Sequence, residues 1–259
     1  MDAPAVSHVE VSGNPCRVWS KGSGRRIGFL AGFGGLPKWI PFLDALATEN
    51  EIVVPSIPGF PGAVGHTSFD SHIDWVLAIR DLLKQSGLLD GAPLIGSGPG
   101  GSLAADMAAF WPGEINRLAL IAPWGLSDGD APMADPWARR PHEVGPLLCN
   151  VPQHWDELKA EPEGANSVEW PIEQARALEA SARIFWPLGN TGLAKRLGHI
   201  ACPTLLIRGE GDQVIPANYM EAFRAGTGGE TTIEAIANAG HLAELDQPQA
   251  VADAIRAFI

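Results

Sequence analysis

The stretch Pro93-Leu94-Ile95-Gly96-Ser97-Gly98-Pro99-Gly100-Gly101 joins a short apolar strand to an alanine-rich helix. Such a strand-to-helix turn is the setting of the G-x-S-x-G nucleophile elbow, in which the central serine attacks the substrate. In this chain the five-residue frame reads Gly96-Ser97-Gly98-Pro99-Gly100, so a glycine stands at the centre. The sequence therefore predicts the turn of an elbow without its nucleophile.

The next residue, Pro99, is a second departure from the motif. The residue after the nucleophile normally donates its backbone N–H group to the oxyanion of the reaction intermediate. Proline has no backbone N–H group. The turn therefore lacks a nucleophile at Gly98 and also one of the two usual oxyanion donors.

Ser97 is the alternative nucleophile, one position early in the frame. A frame centred on Ser97 would put Ile95 and Pro99 where small residues are needed. Glycine at the centre suits the strained backbone of an elbow, because it adopts unusual conformations most easily. We therefore place Gly98 at the apex of the turn and keep Ser97 as a second candidate catalytic residue. Its ordinary role would be that of a small residue beside the site.

Length and composition set outer limits on the function. The 259 residues suit one large domain or a core with an insertion, and 46% of them are hydrophobic. A net charge of −12 argues against nucleic acid and anionic membrane surfaces as partners. Three cysteines without metal-ligand spacing, and no visible signal peptide or membrane-spanning run, predict a cytoplasmic protein.

We expect no cofactor and no bound metal, because the chain carries no phosphate-binding loop, dinucleotide fingerprint or metal-ligand cluster. The expected partner is a small-molecule substrate, and the sequence leaves the oligomeric state open.

The chain alternates between predicted strands and helices, which indicates an α/β fold with a mostly parallel sheet flanked by helices. A ligand site in such a sheet lies outside the carboxyl ends of the strands. The predicted strands are His8–Val11, Cys16–Trp19, Ile27–Leu30, Glu51–Pro55, Pro93–Gly96, Arg117–Ala122, Thr204–Arg208 and Thr231–Ile236. The predicted helices are Asp74–Gln85, Gly101–Phe110, Pro216–Ala225 and Pro248–Ile259.

The interval 123–200 breaks this alternation and is rich in proline and tryptophan. We predict that it forms a helical cap, with a helix near Gln174–Ile184, over a core made of residues 1–122 and 201–259. An apolar pocket is expected beneath the cap. Trp124, Trp137 and Trp186 are the candidates for its lining, although buried tryptophans more often belong to a packed core.

Two polar residues follow the last two predicted strands. Asp212 comes after Thr204–Arg208, and His241 comes after Thr231–Ile236. Alone, Asp212 could belong to an ordinary turn and His241 to the surface. Together they give the order nucleophile, acid, base, and the triad logic predicts their side chains within hydrogen-bond reach of each other. Gly98 should face His241 with a strained backbone.

These motifs make the chain resemble the α/β-hydrolase fold superfamily over nearly its whole length. The resemblance rests on Gly32-Phe33-Gly34-Gly35, Ile57-Pro58-Gly59-Phe60, the Gly96–Gly101 elbow, Arg208–Pro216 and Gly240-His241. It implies that Asp212 is the triad acid, that His241 is the base, and that the amide of Phe33 or Gly34 is an oxyanion donor. Ala31 stands where this family usually has a histidine.

Three functions are compatible with a base and an acid that face a glycine. The first is an enzyme without a nucleophile, in which His241 drives direct water attack or a lyase- or cyclase-type step on a small, largely apolar carbonyl substrate. The second is an inactive form of a serine ester or C–C bond hydrolase, with Gly98 replacing its nucleophile. The third is a pseudohydrolase that only binds a ligand or partner. Pro99 favours the first, because a change at Gly98 alone would not explain it.

Overall fold

A computed structural model describes residues 2–162, 164–185 and 191–259. Its eight strands form one sheet in the order β1-β2-β4-β3-β5-β6-β7-β8. The strands are β1 (Ala5–Val11), β2 (Asn14–Lys21), β3 (Arg25–Leu30), β4 (Asn50–Pro55), β5 (Ala92–Ser97), β6 (Ile115–Ile121), β7 (Thr204–Gly209) and β8 (Thr231–Ile236).

The sheet is mostly parallel. Strand β2 pairs antiparallel with β1 and with β4, whereas every other neighbouring pair from β4 to β8 runs parallel. The residues of β3 from Ile27 to Leu30 and those of β6 from Leu118 to Ile121 are all buried, as expected for strands covered on both faces. The predicted fold class, a mostly parallel sheet flanked by helices, is confirmed.

Nine α-helices occur among the described residues. They are α1 (Pro41–Ala47), α2 (His72–Gln85), α3 (Gly98–Phe110), α4 (Pro141–Leu148), α5 (Pro152–Lys159), α6 (Glu169–Phe185), α7 (Asn218–Gly226), α8 (Ala243–Asp246) and α9 (Pro248–Phe258). Helix α3 begins at the apex glycine itself, three residues earlier than predicted.

The glycines around the turn allow α3 to lie directly against the sheet. A Cβ atom on Gly100 would lie 2.4 Å from the backbone oxygen of Leu30 in β3. A Cβ atom on Gly96 would lie 2.6 Å from the backbone oxygen of Gly100. Only glycine fits such contacts without a shift of the backbone, so the sequence of the turn fixes where α3 starts.

Helices α4, α5 and α6 follow β6 in the chain and precede β7. They contact the loops that follow β3 and β8. Lys159 at the end of α5 donates to the backbone oxygens of Gly34 (2.9 Å) and Gly35 (3.2 Å), after β3. The backbone N–H of Leu242, after β8, donates to the oxygen of Leu148 in α4 at 2.8 Å. These helices therefore lie against the edge of the sheet where parallel strands end.

Candidate active site

The apex of the turn is formed by Gly98, the first residue of α3. Its φ angle is +44°, in the left-handed region that costs other L-residues about 1–2 kcal/mol. A Cβ atom built on Gly98 would lie 3.5 Å from Nε2 of His241 and 3.5 Å from Nε1 of Trp124. A side chain at this position would therefore point at the imidazole of His241, as the frame centred on Gly98 predicts.

His241 and Asp212 form a buried pair next to the apex. Nδ1 of His241 lies 3.0 Å from Oδ2 of Asp212, within the expected range, and neither side chain is exposed. Oδ1 of Asp212 accepts from the backbone N–H groups of Val214 (2.8 Å) and Ile215 (3.0 Å). The loop after β7 therefore holds the carboxylate so that its second oxygen faces the imidazole.

The pKa of Asp212 is lowered. Burial alone would raise this pKa, but the interaction with His241 and the two backbone N–H groups outweigh the burial. An ionised carboxylate can only accept hydrogen bonds, so the proton of the neutral imidazole lies on Nδ1. Nε2 of His241 then carries the lone pair that a general base needs.

In this structure the lone pair on Nε2 of His241 accepts a hydrogen bond from Trp124. Its indole Nε1–H donates to Nε2 of His241 at 2.9 Å, and an indole N–H can only donate. This contact independently assigns the acceptor role to Nε2. It also means that the candidate base is already hydrogen-bonded, so a substrate or water must displace the indole before it can give up a proton here.

Trp124 belongs to an aromatic cluster, which we define as Phe33, Trp124, Trp137, Trp155 and Phe185. Neighbouring ring centroids in this cluster lie 5.3–5.9 Å apart. Among the described residues, these rings pack against one another where an apolar pocket was expected, and the Trp124 ring lies 5.9 Å from that of the buried His241. Trp124 and Trp137 lie beside the site, whereas Trp186 falls outside the described residues.

The expected oxyanion donors are only partly available. The backbone N–H of Gly34 donates to Oγ of Ser181 in α6 at 3.1 Å, and Pro99 has no N–H to offer. The N–H of Phe33 makes no hydrogen bond with any residue that the structure describes. Of the two donors proposed on the β3 loop, Gly34 is therefore occupied and Phe33 remains.

Ser97 makes no hydrogen bond to His241 in the described part of the chain. Its hydroxyl donates to Oε1 of Glu244 at 2.6 Å, and both residues are buried. This contact opposes the interpretation of Ser97 as a nucleophile activated by His241, because the hydroxyl proton is already given to Glu244. Oε2 of Glu244 is a buried oxygen without a hydrogen-bond partner in the described part of the chain.

Sequence reasoning assigned no role to Glu244, Lys159 or Ser181. The signal for Glu244 was its spacing, three residues after His241, but spacing alone does not reveal burial. Burial raises the pKa of Glu244, and burial lowers the pKa of Lys159 to about 7. The site thus combines a carboxyl group whose pKa is lowered, Asp212, with one whose pKa is raised, Glu244.

We expect Glu244→Gln to stabilise the protein increasingly as the pH rises. Because the pKa of Glu244 is raised in the folded state, its protonated form contributes to the free energy of unfolding. This contribution is complete below the unfolded pKa, about 4.3, and is lost as the pH rises through the folded pKa. Glutamine stays neutral throughout. Urea unfolding at pH 5 and pH 8 should therefore show a larger gain for the variant at pH 8.

The control for this measurement is Glu234→Gln, which changes an exposed glutamate in β8. Its unfolding free energy relative to the unchanged protein should differ little between the two pH values. An equal effect of both variants at pH 8 would contradict the raised pKa of Glu244.

The described residues contain no group of three or more His, Cys, Asp or Glu side chains that could hold a metal ion. Within the same ranges, no helix combines the length and the apolar character that crossing a membrane requires.

A family model described as the alpha/beta hydrolase family matches residues 29–254 of the chain. A dihydrolipoyllysine-residue acetyltransferase component of an acetoin cleaving system, from Cupriavidus necator, is 25% identical over 262 residues. That alignment covers 95% of this chain but 66% of the relative, so about a third of the relative has no counterpart here. A putative carbamate hydrolase from Azorhizobium caulinodans is 25% identical over 221 residues, 79% of each chain.

Solved structures share the fold at low identity. A membrane phospholipase A described as a bacterial virulence factor superimposes with a TM-score of 0.77 at 21% identity, covering 99% of this chain and 86% of the other. A 2-hydroxy-6-oxo-6-phenylhexa-2,4-dienoate hydrolase from Rhodococcus sp. strain RHA1 gives a TM-score of 0.72 at 18% identity, covering 98% and 99%. At these identities the likeness supports the fold alone.

Proposed function

Because the chain belongs to the alpha/beta hydrolase family, we propose that it is an enzyme that uses His241 and Asp212 for acid–base chemistry without a serine nucleophile. Its substrate is a small, largely apolar molecule with a carbonyl group. Residues 123–200 act as the cap over the site, on the core of residues 1–122 and 201–259. We propose that the enzyme works in the cytoplasm, without cofactor, nucleic acid or membrane.

One observation carries this proposal: an intact acid–base pair faces a glycine. Gly98 offers no side chain for attack, while His241 retains its hydrogen bond to Asp212. The space that a nucleophile would fill lies within 3.5 Å of both Nε2 of His241 and the indole nitrogen of Trp124. A water molecule or a substrate oxygen at this point can reach both groups.

In the hydrolytic form of the proposal, water takes the place of the missing hydroxyl. His241 Nε2 removes a proton from the water as its oxygen bonds to the carbonyl carbon, and the carbonyl electron pair moves onto oxygen. When the tetrahedral intermediate collapses, the imidazolium returns the proton to the leaving group. In the lyase- or cyclase-type form, the same nitrogen removes an acidic proton of the substrate. The electron pair left on the substrate expels a leaving group, or attacks the substrate's own carbonyl carbon to close a ring, and the imidazolium returns the proton to the leaving group or to the carbonyl oxygen.

Trp124 has a second part in the proposed reaction. Developing negative charge on the carbonyl oxygen requires hydrogen-bond donors, and both Pro99 and Gly34 are unavailable for that purpose. The indole N–H of Trp124 lies beside the apex and can move from Nε2 of His241 to this oxygen. That exchange would free the base and stabilise the oxyanion in one step.

The second candidate function is a ligand-binding pseudohydrolase, and the closed state of the site favours it. The Trp124 indole occupies Nε2 of His241, and the candidate base is fully buried. A thermal-shift screen of small carbonyl compounds on the unchanged protein and on His241→Ala separates the two functions. The enzyme should convert a stabilising ligand to product in a His241-dependent manner, whereas a pseudohydrolase should bind it unchanged.

The remaining alternative, an inactive serine ester or C–C bond hydrolase, is tested by Gly98→Ser. We expect this variant to gain little activity on simple aryl esters, because Pro99 still provides no oxyanion donor and serine is strained at a φ of +44°. Its conversion of the natural substrate should fall, since the hydroxymethyl group fills the space meant for water. Turnover of 4-nitrophenyl acetate measures the first effect.

The matched control is Gly98→Ser combined with Pro99→Ala, which restores both the hydroxyl and the backbone N–H group. Esterase activity in this double variant, together with its absence in Gly98→Ser, would show that both departures from the elbow matter. Strong esterase activity in Gly98→Ser by itself would support the inactive serine hydrolase instead.

A further inference from the structure

A groove of about 310 Å³ is lined by residues of α5 and its neighbours, none of which belongs to the aromatic cluster. It is bounded by α5, by the loop that leads into α1, and by the junction of α8 and α9. Its apolar walls are Trp39, Ile40, Pro41, Leu158, Leu245 and Pro248. Both the volume and the predominance of apolar walls are typical of small-molecule sites.

The groove contains a second histidine–carboxylate pair, separate from His241 and Asp212. Nδ1 of His154 lies 2.8 Å from Oδ1 of Asp246, whose side chain is fully buried. Asp246 also accepts from the backbone N–H groups of Asn150 (2.6 Å), Val151 (3.2 Å) and Gly240 (2.8 Å). Because four groups converge on this carboxylate, it holds the His154 ring in one orientation.

The orientation of the ring decides which ligand atom His154 can recognise. Because the carboxylate of Asp246 accepts hydrogen bonds at both oxygens, Nδ1 of a neutral His154 ring donates its N–H to it, and the lone pair lies on Nε2. One third of the His154 side chain is exposed, and Nε2 has no hydrogen-bond partner among the described residues. The polar group that the groove offers is therefore an acceptor.

The charged residues of the groove favour a neutral ligand. Lys38 lines it and donates to the backbone oxygen of Glu157, so the ammonium keeps further N–H groups for a ligand oxygen. The exposed carboxylate of Glu157 also lines the groove and opposes an anionic ligand. An uncharged hydroxyl suits this lining, because it can donate to His154 and accept from Lys38, and it has no negative charge for Glu157 to oppose.

Trp39 provides a flat wall whose position is fixed. Its indole Nε1–H donates to Oδ1 of Asp44 at 3.0 Å, and its ring packs edge-on against Trp19 at a centroid separation of 6.2 Å. A fixed and partly exposed ring favours an aromatic neighbour by offset or edge contacts. The body of the ligand is therefore better matched by an aromatic ring than by a flexible chain.

We propose that this groove is a binding site for a small neutral phenol, with its hydroxyl between His154 and Lys38 and its ring against Trp39. The site is independent of the chemistry at His241. It adjoins the loop of the candidate base, however, because Asp246 also binds the N–H of Gly240.

The experiment compares 4-ethylphenol with ethylbenzene by calorimetric titration of the full chain. We expect saturable binding of 4-ethylphenol with an affinity about tenfold above that of ethylbenzene, the worth of one or two net hydrogen bonds. His154→Phe should lose this preference and still bind ethylbenzene. His241→Gln should keep the preference. Absent binding to the unchanged protein, a preference that survives in His154→Phe, or one lost in His241→Gln would overturn the proposal.

A second measurement uses the unchanged protein and does not depend on how the variants fold. In an NMR titration with 4-ethylphenol, the ring signals of His154 and the indole signal of Trp39 should shift with one common saturation curve. Shifts confined to His241 and Trp124 would place the phenol in the candidate active site and contradict the groove.

Discussion

Replacing His241 by alanine should lower turnover by about 10²–10⁴-fold, the usual contribution of a general base. The physical reason is that Nε2 of His241 is a basic side-chain atom 3.5 Å from the position of a Cβ on Gly98, at the apex. The measurement is the initial rate on whichever aryl ester, thioester or 1,3-diketone the unchanged protein converts. The loss should appear in kcat, with substrate affinity largely retained.

Two control variants distinguish a loss of the base from a loss of the folded structure. His241→Gln keeps most of the volume and can still hydrogen-bond Asp212, yet it cannot act as a base, so it should lose activity to a similar extent. His199→Ala, at an exposed histidine, should leave turnover unchanged. If His241→Ala retains the full rate, the proposed acid–base chemistry is wrong, whatever the protein binds.

Trp124→Phe should lower kcat by about 10²–10³-fold, the effect of removing one oxyanion donor. Phenylalanine keeps the contact with the aromatic cluster and frees Nε2 of His241, but it has no N–H group to give to the substrate oxygen. If the indole served only to block the base, the same variant would raise kcat. The direction of the change in kcat therefore shows whether the indole acts as a hydrogen-bond donor to the substrate or only blocks the base.

The control for Trp124→Phe is Trp75→Phe, which removes an equally buried indole from α2, where Trp75 packs against Phe69. Both variants should lose some stability, and only Trp124→Phe should lose turnover. Thermal melting and kcat, measured on the same preparations, make the comparison. Equal losses of kcat would reduce the role of Trp124 to packing.

The sheet was predictable because its central strands are short apolar runs bounded by glycine and proline. Helices α1, α4 and α5 were missed because each has only seven or eight residues, begins with proline, and is too short to establish a periodic apolar face. Helix α3 was placed three residues late, because Gly98, Pro99 and Gly100 are poor helix formers in isolation. Tertiary packing against β3 outweighs their propensity.

The pairing of Asp212 with His241 followed from the order of strands, since both residues come just after strands that end at the same edge. The order of strands does not predict the three side-chain contacts that engage the base, Ser97 and the expected oxyanion donor. Trp124 and His241 are 117 residues apart, while Ser97 and Glu244 are 147 residues apart. The same separation divides Gly34 from Ser181. Side-chain packing decides these contacts, and a single sequence contains no periodicity that reveals it.

An apolar pocket was expected beneath residues 123–200, with Trp124, Trp137 and Trp186 as its lining. Trp124 and Trp137 lie beside the site, whereas Trp186 lies outside the described residues. Composition did not predict that Phe33 and Trp124 pack against each other, at a centroid separation of 5.9 Å. Large aromatic side chains bury so much apolar area that mutual packing is favoured when no ligand keeps them apart.

The central claim is that the protein works without a covalent intermediate, and the mass of the intact chain during turnover tests it most directly. The chain is mixed with an excess of a converted aryl ester and quenched within the steady state, and a separate sample is incubated with a fluorophosphonate. The account predicts an unmodified mass in both samples, with product accumulating in the ester sample. An acyl or phosphonyl adduct that forms on Ser97 or another residue of the unchanged protein, and fails to form in His241→Gln, would contradict it.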